Sequence, residues 1–219
     1  MTSPAIRILL ADDHALIREA LRQILNSCPS FEVVGEAANA AGTIELVRST
    51  QAQILILDLS MPDRNGIEVI RVVKDIEPAL RILVLTMHGE HQYAVRAFKA
   101  GASGYLTKES ASGELVSALT KIANGGVYMS LAMAERFALN LHEPPDTLPH
   151  QCLSDRELDV FRRITAGETI GEIAAQLCVS TKTVSTYKAR ILEKMHMPHA
   201  AALVRYAMRH KLFGDSEEL

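Results

Sequence analysis

The chain has 219 residues and little of what marks a secreted or membrane protein. No apolar run approaches the ~20 residues that a membrane span requires. The start, Met1 to Arg7, lacks the basic segment and apolar core of a signal peptide and runs straight into a strand-like pattern. Cysteine is scarce. Cys28, Cys152 and Cys178 are odd in number, far apart and without a CxxC pair, which argues against a disulfide framework, a zinc site or redox chemistry. Internal repeats and low-complexity tracts are also missing. These absences lead to the expectation of a cytoplasmic, globular protein with no membrane partner.

What is present is unevenly distributed. The formal net charge is −3. Residues 1–125 hold 12 Lys and Arg against 14 Asp and Glu, whereas residues 153–212 hold 10 against 6. The acidic end, with Asp215, Glu217 and Glu218, hides this difference in the total. A basic C-terminal half faces an anion, and nucleic acid is the usual one. The length also favours two modest domains over one.

The first part alternates short apolar runs with helix-period segments. The runs are Ile6–Ala11, Val33–Ala37, Ile54–Leu57, Ile82–Leu85 and Gly104–Leu106. Several are apolar almost throughout, as strands buried on both faces are. Between them, Ile17, Leu21, Ile24 and Leu25 form one helical stripe; Val69, Ile70, Val73 and Ile76 form another. Ala94, Val95 and Phe98 lead to a stop at Gly101, and Leu115, Val116, Leu119 and Ile122 to one at Gly125. Strands alternating with helices predict a doubly wound, five-stranded parallel sheet. From Leu139 to Gln151, Pro144, Pro145 and Pro149 interrupt any period, and this stretch reads as linker, with a short helix expected over 130–140. Beyond it only helical patterns remain.

Asp12 and Asp13 close the first strand and Asp58 the third. In the common doubly wound order 2-1-3-4-5, strands one and three are neighbours, and ligands bind at the carboxyl ends of such strands. Three converging carboxylates repel one another. A hard divalent cation such as Mg²⁺ relieves this. Helix capping accounts for one aspartate, as Asp13 before the helix starting near Ala15, but poorly for three. Thr86 ends the fourth strand and Lys108 follows the fifth, a hydroxyl and an ammonium suited to phosphoryl oxygens. His88 and His91 stand three residues apart, with no partner at metal-ligand spacing, and read as a solvated loop pair.

At Leu10-Ala-Asp-Asp-His14, Asp58-Leu-Ser-Met-Pro62 with Gly66, Leu85-Thr86 and Gly104-Tyr-Leu-Thr-Lys108, the chain resembles the receiver domain of two-component response regulators. The resemblance implies that Asp58 is the phosphoacceptor and that Asp13, Asp58 and the backbone carbonyl of Ser60 hold Mg²⁺. Asp12 would support that site indirectly, and Thr86 with Tyr105 would be a switch pair. It also implies a sensor histidine kinase as partner. Glu109 departs from the proline that many receivers carry there.

In the C-terminal part, Ser154 to Glu157 has the form of a capping box. Leu158, Phe161 and Ile164 follow on one face, then Ile170, Ile173, Ala174 and Leu177 on a second helix. A turn at Val179-Ser180 precedes a third, in which Val184, Ile191 and Met195 face inward. Lys182, Ser185, Thr186, Lys188, Ala189 and Arg190 are left outside or at its margins. A short helix, a tight turn and a basic helix make the helix-turn-helix pattern. Leu153-Ser-Asp-Arg-Glu-Leu158, Ile170-Gly-Glu-Ile-Ala174 and Ser180-Thr-Lys-Thr-Val184 are similar to the LuxR-type helix-turn-helix of NarL/FixJ response regulators, with Tyr187 where histidine is common. By that resemblance Lys182, Thr183 and Lys194 would mostly hold the DNA backbone, while Ser185, Thr186, Lys188 and Ala189 would be nearest base edges, with Arg190 also in the DNA-binding set. Leu203, Val204 and Met208 on the last helix would make a homodimer contact.

The expected organisation is a receiver over residues 1–126, a linker over 127–152 and a DNA-binding domain over 153–219. The expected function is phosphorylation-controlled binding of double-stranded promoter DNA, with RNA polymerase as a further candidate partner. The only enzymatic act expected is Mg²⁺-dependent self-phosphorylation and self-dephosphorylation at Asp58. Two other readings are a metal-dependent phosphohydrolase and a constitutive DNA-binding protein. The first usually sets its two aspartates two residues apart on one strand; the intact acidic set argues against the second.

Overall fold

The computed structural model of the protein describes residues 4–61, 64–87, 91–131, 133–135, 148–210 and 212–213. The chain divides into two compact units, Met1–Leu141 and His142–Leu219.

In the first unit the strands are β1 (Ile6–Ala11), β2 (Phe31–Ala37), β3 (Ile54–Leu57), β4 (Arg81–Thr86) and β5 (Gly104–Thr107). They form one parallel sheet in the order β2-β1-β3-β4-β5. The crossover helices that parallel pairing demands are α1 (Ala15–Asn26), α2 (Ala40–Ser49), α3 (Gly66–Ile76) and α4 (His91–Ala100), and α5 (Ala111–Ala123) follows β5. The side chains of Ile8, Leu10, Ile54, Ile56, Leu83 and Leu85 cluster with Leu21 and Leu25 of α1 and with Leu115, Leu119 and Ile122 of α5. The alternate residues Leu9, Leu55, Leu57 and Val84 point the other way by the strand pleat and are buried too. Val47, Val69, Ile70, Val73, Ala94 and Ala97 of α2, α3 and α4 are the buried groups on that side. Each fully buried aliphatic side chain contributes about 1.5–3 kcal/mol. With all four of its residues buried, β3 is a rigid base for Asp58.

The second unit holds a 3₁₀ turn (Pro149–Cys152) and four helices, α6 (Asp155–Thr165), α7 (Ile170–Gln176), α8 (Thr181–Lys194) and α9 (Ala200–Arg209). Ser154 and Glu157 close the expected capping box on α6, and Thr169 with Glu172 closes another on α7. The Ser180 side chain accepts from the Thr183 N–H and caps α8. Leu158, Phe161, Ile173, Val184, Ile191, Met195 and Leu203 fill the core between them. The architecture is therefore the expected one, a five-stranded parallel sheet with flanking helices followed by a helical unit.

Both ends of the linker expected over 127–152 are hydrogen-bonded into a unit. Tyr128 forms a parallel bridge with Gly104 at the edge of β5. In the 3₁₀ turn, buried His150 places Nδ1 2.8 Å from Tyr206 Oη of α9. Residues 131 and 133–135 are helical. Residues 132 and 136–147, the middle of the expected linker, lie outside the described residues.

Candidate functional site

Two backbone junctions build the acidic site. Ala11 pairs with Leu57 at the ends of β1 and β3, and the Asp58 N–H donates to the Ala11 carbonyl at 2.8 Å, so Asp12 and Asp58 leave the sheet side by side. Thr86 pairs with Thr107 at the ends of β4 and β5, and the Lys108 N–H donates to the Thr86 carbonyl at 2.8 Å. These junctions aim Lys108 across the sheet end, where its Nζ stands 2.6 Å from Asp12 Oδ2 and 2.8 Å from Asp58 Oδ2. The three side chains are only 6%, 3% and 1% exposed, so their charges interact in a poorly solvated setting.

One ammonium is too little for this cluster. Burial pushes the Asp58 carboxyl above its usual range and Asp12 adds repulsion, against the opposing pull of Lys108 and the Ser60 N–H. Burial also works against the Lys108 ammonium, but its hydrogen bonds and charge contacts with Asp12 and Asp58 win and raise its pKa. Ligand atoms of Asp12, Asp13, His14 and Asp58 lie within 4.8 Å of one another. Asp13 Oδ1 is buried beside His14 Nδ1 at 2.8 Å, yet has no aligned hydrogen bond. Hard oxygen donors, excess negative charge and an unsatisfied carboxylate oxygen fit a divalent cation of the Mg²⁺ type. Asp13 does not cap α1: His14 is the N-cap residue and no side chain bonds the helix there.

The surroundings hold these groups still. The Ser60 N–H donates to Asp58 Oδ1 at 3.0 Å, and Asn65 Oδ1 accepts from the Ile67 N–H to cap α3. Gly66 is required by space, since a Cβ there would sit 2.4 Å from Leu59 Cα. Thr86 and Tyr105 are 0% and 1% exposed. Tyr105 is thus an interior aromatic even though β5 is an edge strand. Arg18 Nη1 donates to the Asp12 carbonyl at 2.6 Å, an anchor that charge patterning along α1 does not reveal. His88 and the side chain of His91 lie outside the described residues, as does Pro62.

In the second unit, Val184, Ile191 and Met195 are buried, which turns the opposite face of α8 outward. Lys182, Ser185, Thr186, Ala189 and Arg190 are exposed, with Thr183 and Lys188 half-buried at the margin. The turn before α8 is made by Cys178, in the left-handed region at φ 52°. Lys194 is exposed, and its Nζ lies 2.6 Å from Oε2 of the buried Glu157. Leu203 is 0% exposed and belongs to the core of its own unit, leaving Met208 (74% exposed) and half-buried Val204 as the surface part of the expected dimer contact.

Comparison with known proteins matches a family to each of the two units. Residues 8–120 match the family model of the response regulator receiver domain, and residues 151–207 match that of bacterial regulatory proteins of the luxR family. The chain is 36% identical over 208 residues to the response regulator UvrY of Escherichia coli (strain K12), covering 94% of this chain and 95% of that protein. It is 32% identical over 206 residues to the response regulator GacA of Pseudomonas aeruginosa, covering 94% and 96%. Among solved structures, a LuxR-family two-component response regulator from Aurantimonas sp. SI85-9A1 is similar at 41% identity and a TM-score of 0.60, covering 64% of this chain and 99% of that one. RcsB from Salmonella enterica serovar Typhimurium, bound to promoter rprA in the presence of phosphomimetic BeF3−, is similar at 28% identity and a TM-score of 0.66, covering 92% and 98%.

Proposed function

The chain belongs to the two-component response regulators that join a receiver domain to a LuxR-type DNA-binding domain, and from that membership we propose that it is a transcription regulator switched by phosphorylation of Asp58. The observation that carries the proposal is Lys108 Nζ lying between Asp12 and Asp58 at 2.6 and 2.8 Å, at the carboxyl end of a parallel sheet. A sensor histidine kinase supplies the phosphoryl group. An Asp58 carboxylate oxygen bonds phosphorus as the donor's bond to phosphorus breaks, giving an aspartyl phosphate. Lys108 neutralises the added charge and the Thr86 hydroxyl donates to a phosphoryl oxygen. Asp13, Asp58 and the Ser60 carbonyl would hold Mg²⁺, with Asp12 in support, and the ion would supply further charge neutralisation. Tyr105 fills the space beside Thr86 and completes the switch.

The reader is α8. Lys182 and Thr183 face the DNA backbone, with Ser185, Thr186, Lys188 and Ala189 nearest the base edges of promoter DNA and Arg190 on the same face. Two copies bind as a dimer in the cytoplasm, through a surface that includes Val204 and Met208, with receiver, linker and reader over 1–126, 127–152 and 153–219. The similar RcsB structures support this, one on promoter DNA with BeF3− and another with two dimers on two parallel DNAs. No helix among the described residues is long and apolar enough to cross a membrane. The family consists of transcription factors rather than enzymes with a separate substrate. The test is fluorescence anisotropy with a duplex selected from random sequence. Mg²⁺ and a small acyl-phosphate donor should tighten binding by the wild type and leave Asp58→Asn unchanged. Equal affinity of the wild type with and without the donor overturns phosphorylation control.

A further inference from the structure

Tyr128 is tied to both elements that leave the phosphoryl site. Gly125, at φ 85°, reverses the chain after α5, and Tyr128 then pairs alongside Gly104 on the outer edge of the sheet. The Tyr105 N–H donates to the Tyr128 carbonyl at 2.9 Å, and the Tyr128 N–H donates to the Ser103 carbonyl at 3.0 Å. The Tyr128 hydroxyl donates to Glu114 Oε2 at 2.6 Å, in the first turn of α5. A Cβ at position 104 would meet Ile122 Cδ1 at 2.6 Å and Tyr128 Cβ at 3.3 Å, so Gly104 is what admits this close pairing.

We infer that Tyr128 is the point at which the state of the Asp58 site is passed to the segment that leads toward the DNA-binding unit. The inference rests on the reading of Asp58 as the phosphoacceptor. Strand β5 carries Tyr105 and runs into Lys108, whose ammonium touches Asp58; α5 begins at Ala111, just beyond. A shift of either element pulls on Tyr128, through its main chain in one case and its hydroxyl in the other. On its inner side β5 is held by β4, and Tyr128 is its partner on the outer side. Coupling between distant sites is carried by packed and hydrogen-bonded elements whose arrangement both sites bias. Tyr128 supplies such hydrogen bonds to β5 and α5 at the residue where the chain departs from the sheet.

The test uses the full chain and two readouts, the phosphoryl group on Asp58 by intact mass and the DNA affinity with and without the acyl-phosphate donor. Tyr128→Phe removes the Glu114 bond and Tyr128→Pro removes the bond to Ser103; phosphoryl uptake reports that the receiver is intact in each. Both variants should take up the phosphoryl group as the wild type does. The affinity gain on phosphorylation, at least about fivefold for coupling of ordinary size, should fall several-fold in Tyr128→Phe and further in Tyr128→Pro. If either variant is labelled normally and keeps the full gain, the inference is overturned. A wild type that takes up no phosphoryl group overturns the reading beneath it, and this one with it.

Discussion

Lys194 Nζ stands 2.6 Å from Glu157 Oε2 and so ties the last turn of α8 to the first turn of α6. Glu157 is buried, and its Oε2 also accepts from Ser154 N and Ser154 Oγ at 2.8 and 2.9 Å. A charge so engaged holds α8 against α6. Lys194→Ala should destabilise the second unit by about 1–2 kcal/mol, less than a fully buried pair because the ammonium is partly exposed. The salt dependence of DNA binding separates this role from a phosphate contact. The slope of log affinity against log salt should stay at the wild-type value in Lys194→Ala; a slope reduced by about 0.9 would restore Lys194 to the DNA backbone.

Lys188 gives the opposite outcome. It lies at the margin of the outward face of α8 and no ion pair to it is found among the described residues. Lys188→Ala should weaken binding to the selected duplex several-fold while phosphoryl uptake at Asp58 is unchanged. Equal affinities across a salt series would remove this face of α8 from the proposed DNA contact.

The Glu157 carboxyl also predicts a pH dependence. Burial alone would raise its pKa, but Lys194 and Ser154 hold it below the usual glutamate value. The unfolded unit then binds the proton more readily than the folded one. Glu157 therefore stabilises fully above the unfolded value of about 4.3 and loses that contribution as pH falls toward the lower, folded value. Amide exchange in α6 and α8 should show Glu157→Gln less protected than wild type at neutral pH, with the gap closing in acid. A gap that widens as pH falls would contradict the sign.

Much of this was legible beforehand. Strands β1, β3 and β4 could be placed because their runs are apolar almost throughout, and the acidic site because Asp12, Asp13, Asp58, Thr86 and Lys108 each end or follow a strand. Helix α2 was not, since of its buried residues Ala40 is small, Thr43 is polar and Val47 alone is a larger apolar group. The capping box of Thr169 was missed beside a helix of only seven residues. Leu203 and Met208 illustrate a different limit. Both lie on one apolar stripe, and only the packing of α6 against α9 shows that Leu203 is interior and Met208 outside.

That distinction is testable. Met208→Asp should lower the association constant of the phosphorylated protein in sedimentation while the helical spectrum is retained. Leu203→Ala should instead cost about 2–5 kcal/mol of stability through the cavity it leaves. Unchanged sedimentation of Met208→Asp would exclude this face of α9 from the dimer.

Gly66 tests the frame of the phosphoryl site. A Cβ 2.4 Å from Leu59 Cα forces the backbone after Asp58 to move. Gly66→Ala should destabilise the receiver by about 1–3 kcal/mol, read from amide exchange of α3. Wild-type protection would show that the loop yields without cost.

In the proposed function Asp58 is the nucleophile of a site completed by Lys108. Intact-mass measurement after incubation with Mg²⁺ and a small acyl-phosphate donor tests it most directly. The wild type should gain the mass of one phosphoryl group, stable in acid and lost in base, and Asp58→Asn should gain none. Undiminished labelling of Asp58→Asn would place the phosphoryl group on another residue.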